Sequence, residues 1–214
     1  MTSDYRAVIF DLGGVVFPSP FDAFDDYDVT AGYPAGSVRG LIRTSSETGA
    51  WAALERGELS MDEFCAALEL EATGAGFALD ARALLASVGG GFGARPHMVH
   101  AIERIRAEGL RVAALTNNWA SPTGGAAPNG LRALAFDVIV ESSVEGLRKP
   151  DPKIYELVLD RLGVEASASV FLDDLGINLK PARAMGMTTI KVTDPDDALV
   201  ELEQALGFPI REPA

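Results

Sequence analysis

Cysteine is almost missing from this chain: among 214 residues, Cys65 carries the one thiol. An intramolecular disulfide is thereby excluded, and a reducing, cytoplasmic compartment is expected. Phe64, Ala66, Ala67 and Leu68 surround Cys65 in a helix-like pattern, which makes it a small buried hydrophobe. Long apolar runs are lacking as well. None reaches the length of a bilayer-spanning helix, and the N-terminus has no basic, then apolar, then small-residue signal pattern. Positive charge is scarce: 18 Lys and Arg against 31 Asp and Glu leave a formal net charge of −13. That sign argues against nucleic acid and anionic membrane as partners, because both attract basic surfaces. Histidine occurs twice, at His97 and His100, on what reads as the outer face of one helix, and neither reads as a metal ligand. A soluble protein is expected.

Hydrophobic residues make up 48% of the chain, enough for a sizeable core in one large domain, or in a core with a smaller inserted one. Ala7 to Phe10 reads as a short strand buried on both faces, followed by Asp11, Leu12, Gly13 and Gly14. Phe17-Pro18-Ser19-Pro20 is a rigid exit from it. Residues 21 to about 90 are rich in Ala, Leu and acids, with almost no β-branched runs. Ser60 and Glu63 there have the spacing of a capping box, followed by a stripe of Phe64, Leu68 and Leu70 or Ala67. Ala81 to Val88 reads as another helix, and Gly89-Gly90-Gly91-Phe92-Gly93 as a flexible return linker. That glycine run is no phosphate loop, having no strand before it and no Lys-Ser/Thr after it.

From Arg95 helices and strands alternate. Val99, Ile102 and Ile105 share one side of a helix that stops at Gly109; Val112 to Leu115 is a strand running into Thr116-Asn117-Asn118-Trp119. Ser121 to Gly130 is loop-like, and Val138 to Val140 is a further strand. Asp151 and Pro152 read as N-cap and first residue of a helix with a stripe of Ile154, Leu157, Val158 and Leu162. Val170 to Leu172 runs into Asp173-Asp174; a helix follows through Met185, then strand Thr188 to Val192 and a last helix from Asp194-Pro195 to Gly207. This order implies an α/β protein, a Rossmann-like parallel sheet flanked by helices, with an inserted all-helical cap. The expected division is a core of residues 1–14 and 95–214 and a cap of residues 15–94.

In such a sheet the strand ends share one edge, where ligands bind. Asp11, Thr116, Asn117, Asp173 and Asp174 would meet there, with Lys149 from the loop after the third strand. Carboxylates gathered so closely repel unless a cation holds them. Oxygen ligands without His or Cys select Mg²⁺ over zinc. An aspartate beside Mg²⁺, Lys and Asn suits phosphoryl transfer, with the metal and Lys149 neutralising phosphoryl charge while the carboxylate attacks.

These residues, in this order, resemble the haloacid dehalogenase superfamily over essentially the whole chain. Asp11 to Val15 is similar to its first motif, Thr116-Asn117 to the second, Lys149-Pro150 to the third, and Asp173-Asp174 with Asn178 to the fourth. Within the superfamily, Thr116 to Trp119, Val140 to Ser142, Lys149 to Tyr155 and Phe171 to Arg183 resemble the N-terminal phosphatase domain of soluble epoxide hydrolases. They are also similar to the corresponding domain of acyl-CoA dehydrogenase family member 10. The chain ends near where those proteins continue into a second enzyme, so a stand-alone version is expected. The resemblance implies that Asp11 is a nucleophile forming an aspartyl-phosphate, and that it binds Mg²⁺ with the backbone carbonyl of Gly13 and with Asp174. Asp173 and Asn178 would stand behind these ligands or reach the metal through water. Thr116, Asn117 and Lys149 would hold the phosphate, Lys149 would pair with Asp11, and Asn118 and Trp119 would complete the substrate side; a cis Lys149–Pro150 bond is expected of so tight a turn. Trp51, Trp119 and Phe64 line the cap–core cleft or belong to the core.

Gly13 departs from the family pattern, which places a second Asp there as general acid and base. Three readings follow: tolerance, with water or a cap residue relaying the proton; preference for good leaving groups such as acyl or anomeric phosphates; or a weak or inactive module that binds a phosphorylated ligand. A metal-free dehalogenase would have no use for Asp173-Asp174. The expectation is a Mg²⁺-dependent phosphatase-like hydrolase of a small phosphorylated metabolite, with the helical cap as a plausible homodimer surface.

Overall fold

The computed structural model describes residues 4–45, 47–88, 93–119 and 134–212. After β1 (Ala7–Phe10) the chain leaves the sheet for α1 (Pro20–Ala31), α2 (Ser37–Thr44), α3 (Ala50–Glu55), α4 (Met61–Gly74) and α5 (Ala81–Val88). It returns through α6 (Pro96–Ala107) to β2 (Arg111–Thr116) and β3 (Val138–Glu141). Then come α7 (Ser142–Glu145), α8 (Pro152–Leu162), β4 (Ser169–Asp173), α9 (Gly176–Ala184), β5 (Thr188–Lys191) and α10 (Pro195–Leu206). The glycine run at 89–92 and the loop at 121–130 lie outside the described residues.

The five strands form one parallel sheet in the order β3-β2-β1-β4-β5, so β1 lies at the centre. Val8 is level with Val112 on one side and Val170 on the other. Alternation along each central strand feeds two cores. Val8, Phe10, Val112, Ala114, Val170 and Leu172 pack under α6 and α10. Ala7, Ile9, Ala113, Leu115 and Phe171 pack under α8 and α9. Both faces are covered, which is why the central strands read as unbroken apolar runs. Strands are added to one side of β1 through β3, and β4 then starts the other side. The direction of winding reverses between β1 and β4, the crevice where open α/β sheets bind ligands.

Helices α1–α5 hold a third cluster that includes Phe24, Val38, Trp51, Leu54, Phe64, Cys65, Leu68 and Leu84. Side-chain capping starts two of these helices, the second as expected. Ser19 caps α1, and Ser60 and Glu63 close a full capping box at α4. The buried face of α4 is Phe64, Cys65, Leu68 and Ala72, whereas Leu70 is 73% exposed. The stripe therefore runs by steps of four, and Leu70, six residues past Phe64, faces away. In α8, Asp151 caps the first turn and Gly163 ends the helix in the left-handed region. Its buried face takes Tyr155 and Leu159, with Leu157 at the margin. No helix among the described residues is long and apolar enough to cross a membrane.

Candidate active site

The strand ends converge as the order of elements required. Asp11 follows β1, its N–H still donating to Leu172 as the sheet ends. Asp173 closes β4, with Asp174 next to it. Thr116 closes β2, and Lys149 comes from the turn before α8. Carboxylate oxygens of Asp11, Asp173 and Asp174 lie within 4.8 Å of one another. Lys149, 1% exposed, reaches in from below them: its Nζ is 2.8 Å from Asp11 Oδ1 and 2.7 Å from Asp173 Oδ2. A surface location for Lys149 is thus excluded.

A lysine so deeply enclosed must be held from all sides. Asn117 clamps its backbone, accepting from the Lys149 N–H at 2.8 Å and donating to its carbonyl at 3.0 Å. The Lys149–Pro150 peptide bond is cis. Asp173 has its own supports: it accepts from Leu175 N–H at 2.8 Å and from Asn178 Nδ2 at 3.0 and 3.1 Å. Asn178 is fixed in turn by the Tyr155 hydroxyl, which donates to its carbonyl at 2.7 Å. Tyr155 is fully buried, its ring edge-on to Phe171. Apart from its place in a motif, nothing in the sequence around Tyr155 marks this role.

Asp174 is half-buried and lies against Gly14. A Cβ on Gly14 would stand 2.6 Å from the Asp174 carboxyl carbon, and Gly14 has φ +81°, so glycine is needed there on both counts. Gly13 has no such backbone demand; a Cβ there would meet the Pro20 ring at 3.2 Å. Thr116 is buried, its hydroxyl 3.4 Å from the Asn117 carbonyl. The Asn118 amide is engaged with the segment after β3, donating to Glu141 at 2.8 Å and accepting from the Ser143 hydroxyl at 3.0 Å. Trp119 leaves the sheet edge and packs into the cluster of the helical region, 5.5 Å from Trp51 between ring centres. Trp51 and Phe64 are core residues of that region, not cleft lining. His97 and His100 are half-buried instead of lying on an open surface, and the segment after α10 brings Glu212 to 3.7 Å from His100. Neither histidine belongs to the acidic group.

The charges do not balance. Three carboxylates and one ammonium leave two net negative charges in a largely buried space (−3 + 1 = −2). Burial pushes the Asp11 carboxyl well above the usual carboxylate range; Lys149 opposes the rise, while Asp173 and Asp174 add to it. Asp174 is pushed up to about 6 by burial and then by Asp173. Burial pulls Lys149 down, but Asp11 and Asp173 outweigh it and leave the ammonium above its ordinary value. A group in this condition fits a divalent cation: its donors are oxygens, and two added positive charges would let every carboxylate ionise.

Comparison with known proteins gives a consistent picture. The model of the haloacid dehalogenase-like hydrolase family matches residues 5–186. Acyl-CoA dehydrogenase family member 10 of Mus musculus is 39% identical over 209 residues, covering 96% of this chain and 20% of that protein. Bifunctional epoxide hydrolase 2 of Sus scrofa is 32% identical over 218 residues, covering 94% of this chain and 39% of that one. The chain thus spans about a fifth and about two fifths of these relatives' lengths. Sesquiterpene phosphatase astK of Aspergillus oryzae is 30% identical over 211 residues, covering 97% of this chain and 100% of that protein. Among solved structures, a family enzyme of Bacteroides thetaiotaomicron in complex with magnesium and inorganic phosphate has a TM-score of 0.59 at 18% identity, covering 87% of this chain and 93% of that one. At that identity the likeness shows a shared fold.

Proposed function

The chain belongs to the haloacid dehalogenase-like hydrolases, and from that premise we propose that it is a Mg²⁺-dependent phosphatase of small phosphorylated metabolites. The observation that carries the reading is the Asp11 carboxylate at the switch-point crevice, 2.8 Å from a buried ammonium and beside two further carboxylates. The phosphatase named among its full-length relatives supports it. The paired acids at Asp173 and Asp174 count against a metal-free dehalogenase.

Asp11 is the nucleophile. Its carboxylate oxygen attacks phosphorus in line, the bond from phosphorus to the leaving-group oxygen breaks, and an aspartyl-phosphate forms on Asp11. Water then attacks that phosphorus, releasing inorganic phosphate and restoring the carboxylate. The Lys149 ammonium, the Thr116 hydroxyl and the backbone N–H of Asn117 hold phosphate oxygens, and Lys149 also favours the ionised form of Asp11. Asp11, the Gly13 carbonyl and Asp174 would hold Mg²⁺, which when bound supplies positive charge opposite the transferring phosphoryl group. Asp173 and Asn178 stand behind and keep Lys149 in place, a role supported by their hydrogen bonds. Asn118 and Trp119 border the substrate space, and the Asn118 amide also orders the loop after β2.

Gly13 leaves the departing oxygen without the usual positioned acid, a loss of about 10²–10⁴ in rate for groups that must be protonated. Acyl, anomeric and aryl phosphates suffer least and are the expected substrates. Residues 1–14 and 95–214 form the hydrolase core and residues 15–94 the cap; the separate apolar cluster of α1–α5 supports this division, except that Val15, Val16 and Phe17 pack into the core cluster under α6 and α10. A homodimer through this cap, consistent with exposed Val29 and Leu70, and a cytoplasmic setting, consistent with a single thiol, complete the proposal.

The test is hydrolysis of an activated aryl phosphate with and without Mg²⁺, in wild type, Asp11→Asn and Gly13→Asp. Mg²⁺-dependent turnover abolished by Asp11→Asn is the expected result. An inert wild type that gains turnover from Gly13→Asp would replace the enzyme with a phosphoryl-ligand binding module. Inert proteins that do not bind Mg²⁺ would refute both.

A further inference from the structure

We propose that Glu55 is a positioning residue for Lys149, acting from α3 through the guanidinium of Arg148. Glu55 comes from the helical region yet points into the hydrolase core, its side chain 9% exposed. Its Oε2 accepts from Arg148 Nε at 2.8 Å and lies 2.7 Å from Arg148 Nη2, while Oε1 accepts from Trp51 Nε1 at 3.0 Å. Arg148 is peptide-bonded to Lys149, and its carbonyl accepts from Asp151 N–H at 2.9 Å, where α8 begins. Lys149 is therefore fixed on one side by Asn117 and on the other, through Arg148, by a carboxylate 93 residues before that arginine.

The contact is part of a broader seat. Trp51, held by Glu55, meets Trp119, two residues beyond Asn117. Past α3 the chain turns at Gly57 (φ +69°), where a Cβ would stand 2.5 Å from the Ser143 carbonyl oxygen, so the backbones touch. Ser143 in turn bonds Asn118. One short helix and its exit turn thus engage the segments after β2 and β3 and the residue before Lys149. A charged pair buried at such a junction does little for stability beyond what apolar side chains of similar size would do. Its geometry, however, sets where the next peptide lies. With α3 seated, the Lys149 ammonium is held between Asp11 and Asp173; with α3 lifted, the restraint that Glu55 places on the preceding residue is gone.

The inference rests on the proposed role of Lys149 in phosphoryl transfer, so the experiment has an arm that does not. The chain has four lysines, of which Lys153, Lys180 and Lys191 are exposed and Lys149 is buried. Competitive acylation of amines, read at each lysine by peptide mass spectrometry, reports Lys149 accessibility against three internal references. The variant is Glu55→Leu with Arg148→Leu, which removes both charges and leaves neither buried alone; Glu55→Gln is the single-site comparison. The coupling of the two tryptophans in circular dichroism reports whether α3 is still seated. Relative to the three references, Lys149 labelling is expected to rise about tenfold or more in the double variant. Turnover of an aryl phosphate is expected to fall about 10- to 100-fold with a smaller change in KM, as for a displaced catalytic group. A folded double variant that keeps Lys149 protected, or regains wild-type turnover, overturns the proposal and leaves Glu55 a structural residue. An inert wild type would sink the phosphatase reading, while the labelling would still decide whether Glu55 holds Lys149.

Discussion

Replacing Lys149 with Met should expose the electrostatic cost of the site without disturbing its shape. Met keeps most of the stem that passes Phe171, where the ammonium lies 5.6 Å from the ring centre, and removes only the charge. Two ion pairs of 2.8 and 2.7 Å disappear together, and Asp11 and Asp173 stay buried without their shared cation. Breaking one buried pair costs about 3–5 kcal/mol, which for a chain of this size corresponds to a drop of roughly 6–20 °C in Tm. The deficit should depend on pH. Asp11 and Asp174 titrate above their ordinary values in the fold, and Lys149 lowers both. Its loss raises them further, so the native variant keeps protons that the unfolded chain releases, and its stability falls more steeply as pH rises. The deficit should therefore be smallest near pH 4 and grow through and beyond pH 6, the region of Asp174. Mg²⁺ should stabilise the variant more than wild type, because the cluster it neutralises has gained a unit of negative charge. The assay is thermal or urea unfolding at pH 4, 6 and 8, with and without Mg²⁺. A deficit below about 1 kcal/mol, the range of an exposed ion pair, or one that does not change with pH, would refute the account of a charge-balanced buried cluster.

Two further outcomes follow from the same geometry. Gly14→Ala should strain the backbone by about 1–3 kcal/mol and push the Asp174 carboxylate aside, lowering Mg²⁺ affinity about tenfold or more; calorimetric titration giving an unchanged Kd would contradict the contact. In wild type without metal, Asp174 holds its proton up to about pH 6, above the unfolded carboxyl, so stability should fall as pH rises from about 4 to about 6. Mg²⁺ competes with that proton, so its affinity should climb across the same window; melts with and without Mg²⁺ that run parallel over this range would speak against it.

Much of this arrangement was legible because the chemistry falls where local rules are strong. Asp11, Thr116 and Asp173 terminate apolar strands, and Asp151-Pro152 and Ser60 with Glu63 mark helix starts through hydrogen bonds to residues two or three positions away. A parallel order then carries those positions to one edge without further information. Partnerships between distant segments leave no such trace. Glu55 and Arg148 each look like surface charge in their own window, since neither periodicity nor capping pairs residues 93 apart. The ties of Asn118 to Glu141 and Ser143 leave no trace in the sequence for the same reason. Leu70 misled because a leucine near an apolar stripe resembles part of it; the angle around the helix, not the residue type, decides burial.

The central place of β1 also governs how the molecule comes into being. It leaves a ribosome before the other four strands of its sheet, yet its neighbours are β2, about a hundred residues later, and β4, about sixty residues after that. Helices α1–α5 emerge between them and gather a cluster of their own from nearby sequence. The local part of the chain can thus condense early, while the first strand waits with both backbone edges open and two apolar faces bare. Asp11 gains Lys149 and Asp173 as neighbours at the last stage of that wait. Nascent chains paused before β4 should be held by chaperones and carry no hydrolase activity, because the sheet edge that needs protecting and the Asp11 carboxylate that needs partners are completed by the same strand.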